Sequence, residues 1–462
     1  MKTQKLLTVL LGVYFSIGYV TAQNPPAAST PNSFSLKQCV EYAIKNQNSV
    51  QNATLDEAIA AAKVKEITAL GLPQINGSVQ FYSNDPLRRM FGVGNGSYNF
   101  LAGGVIPKGQ VFAAPNLFQL PSGGDVGATV TQLIFSSSYI VGLQAANTYK
   151  ELSAKSTQLS KIQVTEAVTK AYYLVQINEE RIKLFDKNVA RLDSLLFQTK
   201  ALNKNGFVEK IDVDRLQVTY NNLITERGKF NNLLAVGMML LKYQMSMPLD
   251  DNLLLTEKIS DFKVDNPPAI AAKANYNNRV EYSMLESKKK LQSLDLKNYR
   301  MGYLPKLAAF ANLGYFSQSP KFDYFTKSNL WYNYGMYGLS MNLSIFDGLQ
   351  NTHRIQGAKL NLEKTSNDME NLQMAIDLQV RTSEISLKNS MATLESQSKN
   401  MELAAEVANI TKIKYKEGVG TSLEVVSAET ALLEAQTNYY NALYDALVSK
   451  IDCDKANGTL VK

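Results

Sequence analysis

The residue types that usually carry enzyme chemistry are few in this chain, and their spacing does not suit it. His353 is the only histidine among 462 residues, so one chain cannot build a multi-histidine metal site. It lies beside Arg354 in a long helical pattern, which indicates a solvated side chain. Carboxylates are numerous, but they occur at the spacings of charged helix faces. The residues therefore predict no catalysis, no cofactor and no metal.

Two further candidates for chemistry are equally weak. The run Gly92–Gly96 suggests a phosphate-binding loop, but no Lys-Ser/Thr pair follows it and no buried strand precedes it. Cys39 and Cys453 lie near opposite ends of the chain, without metal-type spacing. The sequence leaves open whether they form a disulfide, and a small buried thiol is the alternative for Cys39.

Two acidic residues stand at matching positions after a glycine. Gly206–Val213 and Gly418–Val425 each contain a glycine, five further residues, an acid and a valine. The acids are Asp212 and Glu424, and the two glycines are 212 residues apart (418 − 206). Because other landmarks repeat at nearly the same offset, the chain is predicted to be an internal duplication.

Very long helices must position these glycines. Residues 138–204 contain no proline, and apolar residues recur there every seven positions, with a second line three residues later. A helix of about sixty residues would be roughly 90–100 Å long at 1.5 Å per residue. The pattern resumes after Gly206, and the second copy repeats it. Both glycines are therefore predicted to form left-handed turns between antiparallel helices. A plain long coiled coil would explain the helices equally well.

Four segments instead alternate with a period of two, near 74–83, 125–135, 306–317 and 333–346. Each has about the length of a tilted membrane-spanning strand, with one apolar side and one small, polar side. Four strands cannot close a barrel, and open sheet edges are not tolerated in lipid. The strands therefore predict an oligomer.

Aromatic residues crowd the ends of these strands, as they would in a girdle at the bilayer interface or at the edge of a soluble sandwich. They are Tyr82, Tyr315, Phe316, Tyr324, Phe325, Trp331, Tyr332 and Tyr334. The segment Asn84–Gly124, rich in glycine and proline and without periodicity, is predicted to be a long loop.

The organisation follows from these patterns. Residues 1–23 have the charged start, apolar stretch and small-residue end of a secretory signal peptide. A first copy at 34–246 contains helices 138–204 and 211–246. A linker at 247–275 precedes the second copy at 276–455, which contains helices 349–415 and 421–452.

The net charge of +7 falls to +5 without Lys2 and Lys5 (46 − 41). Because basic and acidic residues are interspersed along the helices, this excess is no argument for nucleic acid.

Three segments in this order resemble the TolC family of outer-membrane factors. Phe34–Ile44 is similar to the family's first helix, Leu304-Pro305 to its strand entry, and Tyr415–Val425 to its periplasmic tip. The resemblance covers almost the whole chain after the signal peptide. It implies a mostly α-helical fold in which a coiled-coil helical barrel is joined to a membrane β-barrel, with four strands per chain and twelve in a homotrimer.

The resemblance also implies a function. The trimer would sit in outer-membrane lipid of a Gram-negative bacterium, with its helices crossing the periplasm. It would be the passive exit duct of a tripartite efflux or type I secretion system, served by a periplasmic membrane-fusion adaptor and an inner-membrane pump of RND or ABC type.

The resemblance assigns roles to the glycine tips as well. Asp212 and Glu424 fall on the acidic gate positions. The adaptor-docking tips would be Gly206, Phe207, Val208, Gly418, Val419, Gly420 and Thr421. Gly420 departs from the family, since some members carry there an arginine that ties the gate shut.

Two other classes stay open. An exported coiled-coil adhesin or structural fibre is opposed by the alternating strands and the duplication. A periplasmic metal-binding component of an efflux system is opposed by the scarcity of histidine and cysteine. The transported substrate cannot be read from the sequence.

Overall fold

The structure is a computed structural model that describes residues 32–114, 116, 119–259, 275–323, 325–326 and 330–461. The predicted signal peptide at 1–23 lies outside the described residues. The part of the predicted linker at 260–274 also lies outside them, as does Tyr324.

The described residues form seven α-helices and ten strands. The helices are α1 (Leu36–Asn46), α2 (Asn48–Ala69), α3 (Ser137–Lys204), α4 (Lys210–Gln244), α5 (Val280–Arg300), α6 (Gln350–Lys416) and α7 (Ser422–Ala456). The strands are β1 (Asn32–Phe34), β2 (Gln74–Ser83), β3 (Met90–Val93), β4 (Tyr98–Asn99), β5 (Gly104–Val105), β6 (Val111–Ala114), β7 (Ser122–Phe135), β8 (Leu253–Leu255), β9 (Lys306–Ser319) and β10 (Tyr332–Asn342). The chain is thus mostly helical with a small strand content, as predicted.

The two longest helices, α3 and α6, contain 68 and 67 residues. At 1.5 Å per residue each extends about 100 Å. The side chain of Ser136 caps α3 by accepting a hydrogen bond from the Tyr139 N–H. Seam residues such as Val168, Val175 and Leu196 are buried, as the heptad pattern requires.

These helices pack as antiparallel pairs. Helix α3 packs against α4 on the far side of the first glycine turn, and α6 packs against α7 on the far side of the second. Helix α7 also contacts α3 and α4, which joins the two hairpins, and α2 and α5 pack against the half of α3 nearer the strands. The core is therefore a series of clusters along the helices, one around Tyr172 and another around Leu216.

The main sheet has four antiparallel strands in the order β10–β9–β7–β2, so β10 and β2 are its edges. Residues paired across an antiparallel ladder project to the same face. The apolar face carries Ile75, Val79, Val126, Val130, Ala311, Leu313, Tyr315, Tyr337, Leu339 and Met341. The polar face carries Asn76, Ser78, Gln80, Asp125, Thr129, Asn312, Phe316, Tyr332, Tyr334 and Ser340.

This register corrects the predicted aromatic girdle. Tyr315 lies on the apolar face, where Phe81 also contacts Phe325 and Trp331 at ring-centroid distances of 4.6 and 6.5 Å. Four others, Tyr82, Phe316, Tyr332 and Tyr334, project to the polar face. They cannot belong to a lipid-facing belt on the apolar side, because side chains alternate strictly along a strand.

The strand ends also differ from prediction. Strand β10 stops at Asn342, because its partner β9 begins at Lys306 and the preceding Pro305 has no N–H to donate. Ile345, predicted to lie in this strand, is 92% exposed beyond it. Strand β7 begins at Ser122, three residues earlier than predicted, because it pairs there with both β2 and β9.

The predicted loop at Asn84–Gly124 contains short strands. Strand β3 pairs with β6, and β4 pairs with β5, as nested antiparallel hairpins. The alternating pattern failed to reveal them because each has only two to four residues. None of the described helices combines the length and apolar character that a membrane-crossing helix needs.

Candidate functional site

The two turns between the long helices share one backbone geometry. Gly206 and Gly418 both have φ of +77°, the left-handed conformation that glycine adopts without steric cost. The Phe207 N–H donates to the Leu202 carbonyl at 2.9 Å, and the Val419 N–H donates to the Lys414 carbonyl at 3.0 Å. These bonds pair carbonyl groups left without partners at the helix ends. The predicted glycine turns are present.

Each tip presents an apolar side chain to solvent. Phe207 is 77% exposed and Val419 is 78% exposed. Val208 is half-buried, and the Asn203 amide donates to its carbonyl at 2.8 Å. An exposed large apolar side chain at the end of a hairpin suits contact with another protein.

The second tip has a crowded backbone at Gly420 and a helix cap at Thr421. A Cβ atom at Gly420 would lie 3.1 Å from the backbone nitrogen of Tyr415, so the turn is crowded against any side chain. The Thr421 hydroxyl accepts a hydrogen bond from the Glu424 N–H at 3.2 Å and caps α7.

Asp212 joins the two hairpins. Its carboxylate accepts a hydrogen bond from the hydroxyl of Ser422, the first residue of α7, which is 3% exposed. Arg215, one turn further along α4, lies 3.7 Å from the same carboxylate oxygen. Asp212 is therefore a bonded group between α4 and α7, beyond its position in the first turn of a helix.

Glu424 is placed differently. It lies in the first turn of α7 with an exposed side chain, and its backbone N–H donates to the Thr421 hydroxyl. Its carboxylate is well placed to interact with the positive end of the helix dipole. One chain therefore brings Asp212 to the opposite hairpin and leaves the Glu424 carboxylate in solvent.

Sequence reasoning missed the other bonds across this seam. The Thr199 hydroxyl lies 3.2 Å from the Tyr415 hydroxyl and links α3 to α6. Thr199 continues the heptad line of Phe185 and Leu192, so a polar residue at a seam position was the available indication. No feature of the sequence indicated the role of Ser422, because serine is common at the starts of helices.

A layer of polar side chains joins α3 and α7 further along the helices from the glycine turns. Arg191 of α3 forms an ion pair with Glu429 of α7 at 2.8 Å, and the Asn188 amide donates to Gln436 at 3.0 Å. Burial raises the pKa of the Glu429 carboxyl above its usual range, and Arg191 opposes this shift. The two hairpins are thus held by specific polar bonds.

Packing in this region is incomplete. A cavity of about 160 Å³ lies between α3, α4 and α7, with Asn188, Leu192, Leu223, Glu429 and Leu433 in its wall. A joint held by a few polar bonds beside an open cavity can separate at lower cost than a fully packed core.

Comparison with known proteins shows what the chain is similar to. The family model described as outer membrane efflux protein matches residues 295–459, which contain α6, the second turn and α7. Outer membrane protein TolC of Salmonella enteritidis is 19% identical over all of this chain and 87% of its own length. The predicted resemblance to the TolC family of outer-membrane efflux proteins is confirmed.

Solved structures of outer membrane channels share the fold. The CmeC outer membrane channel of Campylobacter jejuni matches with a TM-score of 0.72 at 16% identity, covering 96% of this chain and 91% of that one. The open state of the MtrE outer membrane channel of Neisseria gonorrhoeae matches with a TM-score of 0.71 at 17% identity, covering 95% and 94%.

Several predictions are settled by the family. Members of the TolC family are channels and not enzymes, and this resemblance confirms the prediction that the chain is not an enzyme. The predicted outer-membrane location and the TolC-type resemblance are confirmed in the same way.

Proposed function

We propose that this outer membrane efflux protein is the exit duct of a tripartite efflux or type I secretion system, a passive conduit gated at its glycine tips. The single observation that carries the proposal is the four-stranded sheet, which has one apolar face, one largely polar face and two unpaired edges.

The sheet supports assembly from several copies. In lipid, the unpaired N–H and C=O groups of β2 and β10 would each cost several kcal/mol. Pairing β2 of one copy with β10 of the next satisfies these groups and closes a ring. Three copies supply twelve strands, with the apolar face toward lipid and the polar face toward a watery lumen.

The helices support the same arrangement. Helix α4 exposes an apolar stripe whose members follow the spacing of one helix face, namely Leu233, Val236, Leu240 and Tyr243. Helix α6 exposes another near its end, formed by Leu403, Val407 and Ile410. Apolar stripes of this kind are usually covered by a partner helix. A homotrimer would cover them by placing α4 of one copy beside α6 of the next.

The tips support gating. Opening a conduit at this end requires the α3–α4 and α6–α7 hairpins to separate. The bond between Asp212 and Ser422 and the contact between Thr199 and Tyr415 hold them together. Three copies of the Glu424 carboxylate around an axis would favour cations and repel anions.

The exposed tips also suit a docking partner. Phe207 and Val419, together with the backbone of Gly206, Gly418 and Gly420, form the far end of each hairpin. We propose that a periplasmic membrane-fusion adaptor binds there and connects the duct to an inner-membrane pump of RND or ABC type.

Conductance in a planar bilayer tests the gated duct. The purified wild type is expected to give a small, cation-selective conductance, and Asp212→Asn is expected to raise it severalfold by removing the charged acceptor of Ser422. Asp214→Asn is the matched control, because Asp214 is exposed on the same helix. Well-folded wild type and Asp212→Asn that both fail to conduct would rule out the duct.

The alternative of an exported coiled-coil fibre is disfavoured by the match of residues 295–459 to the outer membrane efflux protein model. Extraction distinguishes the two functions. A duct must require detergent to leave outer membranes, whereas a fibre would be released by salt or chelator.

A further inference from the structure

An aromatic cluster lies on the polar face of the main sheet, at the end away from the helices. It consists of Phe316 on β9 and Tyr332 and Tyr334 on β10, beside Asp125 on β7. The ring centroid of Phe316 is 6.2 Å from that of Tyr332 and 6.2 Å from that of Tyr334. These four residues are called the mouth cluster below.

The sheet is shaped to hold the Tyr334 ring across its surface. The Tyr334 hydroxyl lies 2.9 Å from where a Cβ atom would stand at Gly127 and 2.8 Å from the equivalent position at Gly314. Only glycine leaves this space, so the side chain can cross β9 and reach β7. Its hydroxyl there donates to Asp125 Oδ1 at 3.1 Å.

This arrangement leaves aromatic surface exposed beside a half-buried carboxylate. Tyr332 is 60% exposed and Phe316 is 41% exposed. Asp125 forms no ion pair with a described lysine or arginine, and its remaining oxygen lone pairs can accept further bonds. The rings lie on the face opposite the apolar one, so lipid contact does not explain them.

We propose that the mouth cluster is a binding site for organic cations carrying a quaternary ammonium or a similar bulky charge. The inference rests on the proposed function, in which the polar face lines the lumen and this end is the exit. The Asp125 carboxylate attracts the cation by charge. The faces of Tyr332, Tyr334 and Phe316 bind it through cation–π contacts, which suit a cation with no N–H to donate.

Binding to the purified, detergent-solubilised full chain tests the site. Saturation-transfer NMR titrations would compare benzyltrimethylammonium with benzenesulfonate, an aromatic probe of similar size and opposite charge, using empty micelles as background. The cation is expected to bind at least about fivefold more tightly than the anion.

Variants separate the contributions of charge and ring. Asp125→Asn and Tyr334→Leu are each expected to weaken cation binding about 3- to 10-fold, whereas Tyr334→Phe, which keeps the ring, stays within about twofold of wild type. Ser340→Thr is the control, since Ser340 lies on the same face of β10 as Tyr334 but six residues nearer the helices. Asp125→Asn preserves side-chain shape, so it keeps the test decisive if Tyr334→Leu fails to fold.

Equal binding of cation and sulfonate would overturn the site, as would wild-type affinity in both Asp125→Asn and Tyr334→Leu. Either result leaves the conductance of the duct untouched. Conversely, cation-selective binding by a protein that never conducts would retain the site and reject the duct, so the two proposals fail separately.

Discussion

The role of Asp212 depends on its hydrogen bond with the Ser422 hydroxyl. Ser422 is buried at the start of α7 and donates to the Asp212 carboxylate from the opposite hairpin. Ser422→Ala should therefore reproduce the raised conductance of Asp212→Asn, because each change removes one partner of the same bond. Ser427→Ala, at an exposed position on α7, is the control. Single-channel recording checks this, and wild-type conductance in Ser422→Ala would show that Asp212 closes nothing through this bond.

The glycines at the tips are set by backbone conformation. At φ of +77°, Gly418→Ala should lower the free energy of unfolding by about 1–2 kcal/mol, because a Cβ atom is strained in the left-handed region. Gly142→Ala should instead raise it by about 0.5–1 kcal/mol, since Gly142 lies inside α3 with open space for a Cβ atom. Denaturant unfolding of both variants measures the difference, and the same sign for both would contradict this account.

A charged network ties α3 to the end of α7. Glu166 lies 2.8 Å from Lys170 and 2.7 Å from Lys455, and Lys170 also lies 2.6 Å from Asp452. Burial by itself would raise the pKa of the Glu166 carboxyl, but hydrogen bonds from both lysines outweigh it and hold the pKa below its usual range.

The sign of the pH effect follows from that depressed pKa. A carboxyl with a lower pKa in the folded state contributes stability above its unfolded pKa, near 4.3, and loses it as pH falls through the folded value. Glu166→Gln should thus be less stable than wild type at pH 7, and the difference should shrink as the pH falls below about 4.3 and through the lower folded pKa. Unfolding free energies across this range check it. A difference that persists unchanged at pH 3 would show that packing, not charge, is responsible.

At the level of elements, periodicity carried most of the information. The seven-residue spacing of apolar side chains located α3, and their alternation with a period of two located β2. Both signals exist because one face of each element has the same surroundings along its whole length. The end of β10 could not be read from Leu343 and Ile345, which continue the alternation, because partner pairing decides where a strand stops. The face of the sheet on which Tyr334 lies could be assigned only from the strand register. Its bond to Asp125 joins residues 209 positions apart, so no local pattern in the sequence indicates it.

The whole molecule has apolar stripes and sheet edges that one chain leaves open. On the trimer proposal, β2 of one copy meets β10 of the next with their polar faces on the same side. Cysteines at Ser78 on β2 and, in separate variants, at Met336, Gly338 or Ser340 on β10 should cross-link neighbouring copies. The native thiols should react slowly, because both are buried and burial raises the pKa of Cys39 to about 12.

The expected product is a ladder that ends at three chains on a non-reducing gel, because each copy offers one β2 edge and one β10 edge and the ring then closes. Ser78→Cys combined with Leu339→Cys is the control, since Leu339 projects to the opposite face of β10. A ladder that continues past three chains would indicate an open assembly. Cross-linking as efficient through Leu339 as through Ser340 would contradict the pairing of these edges.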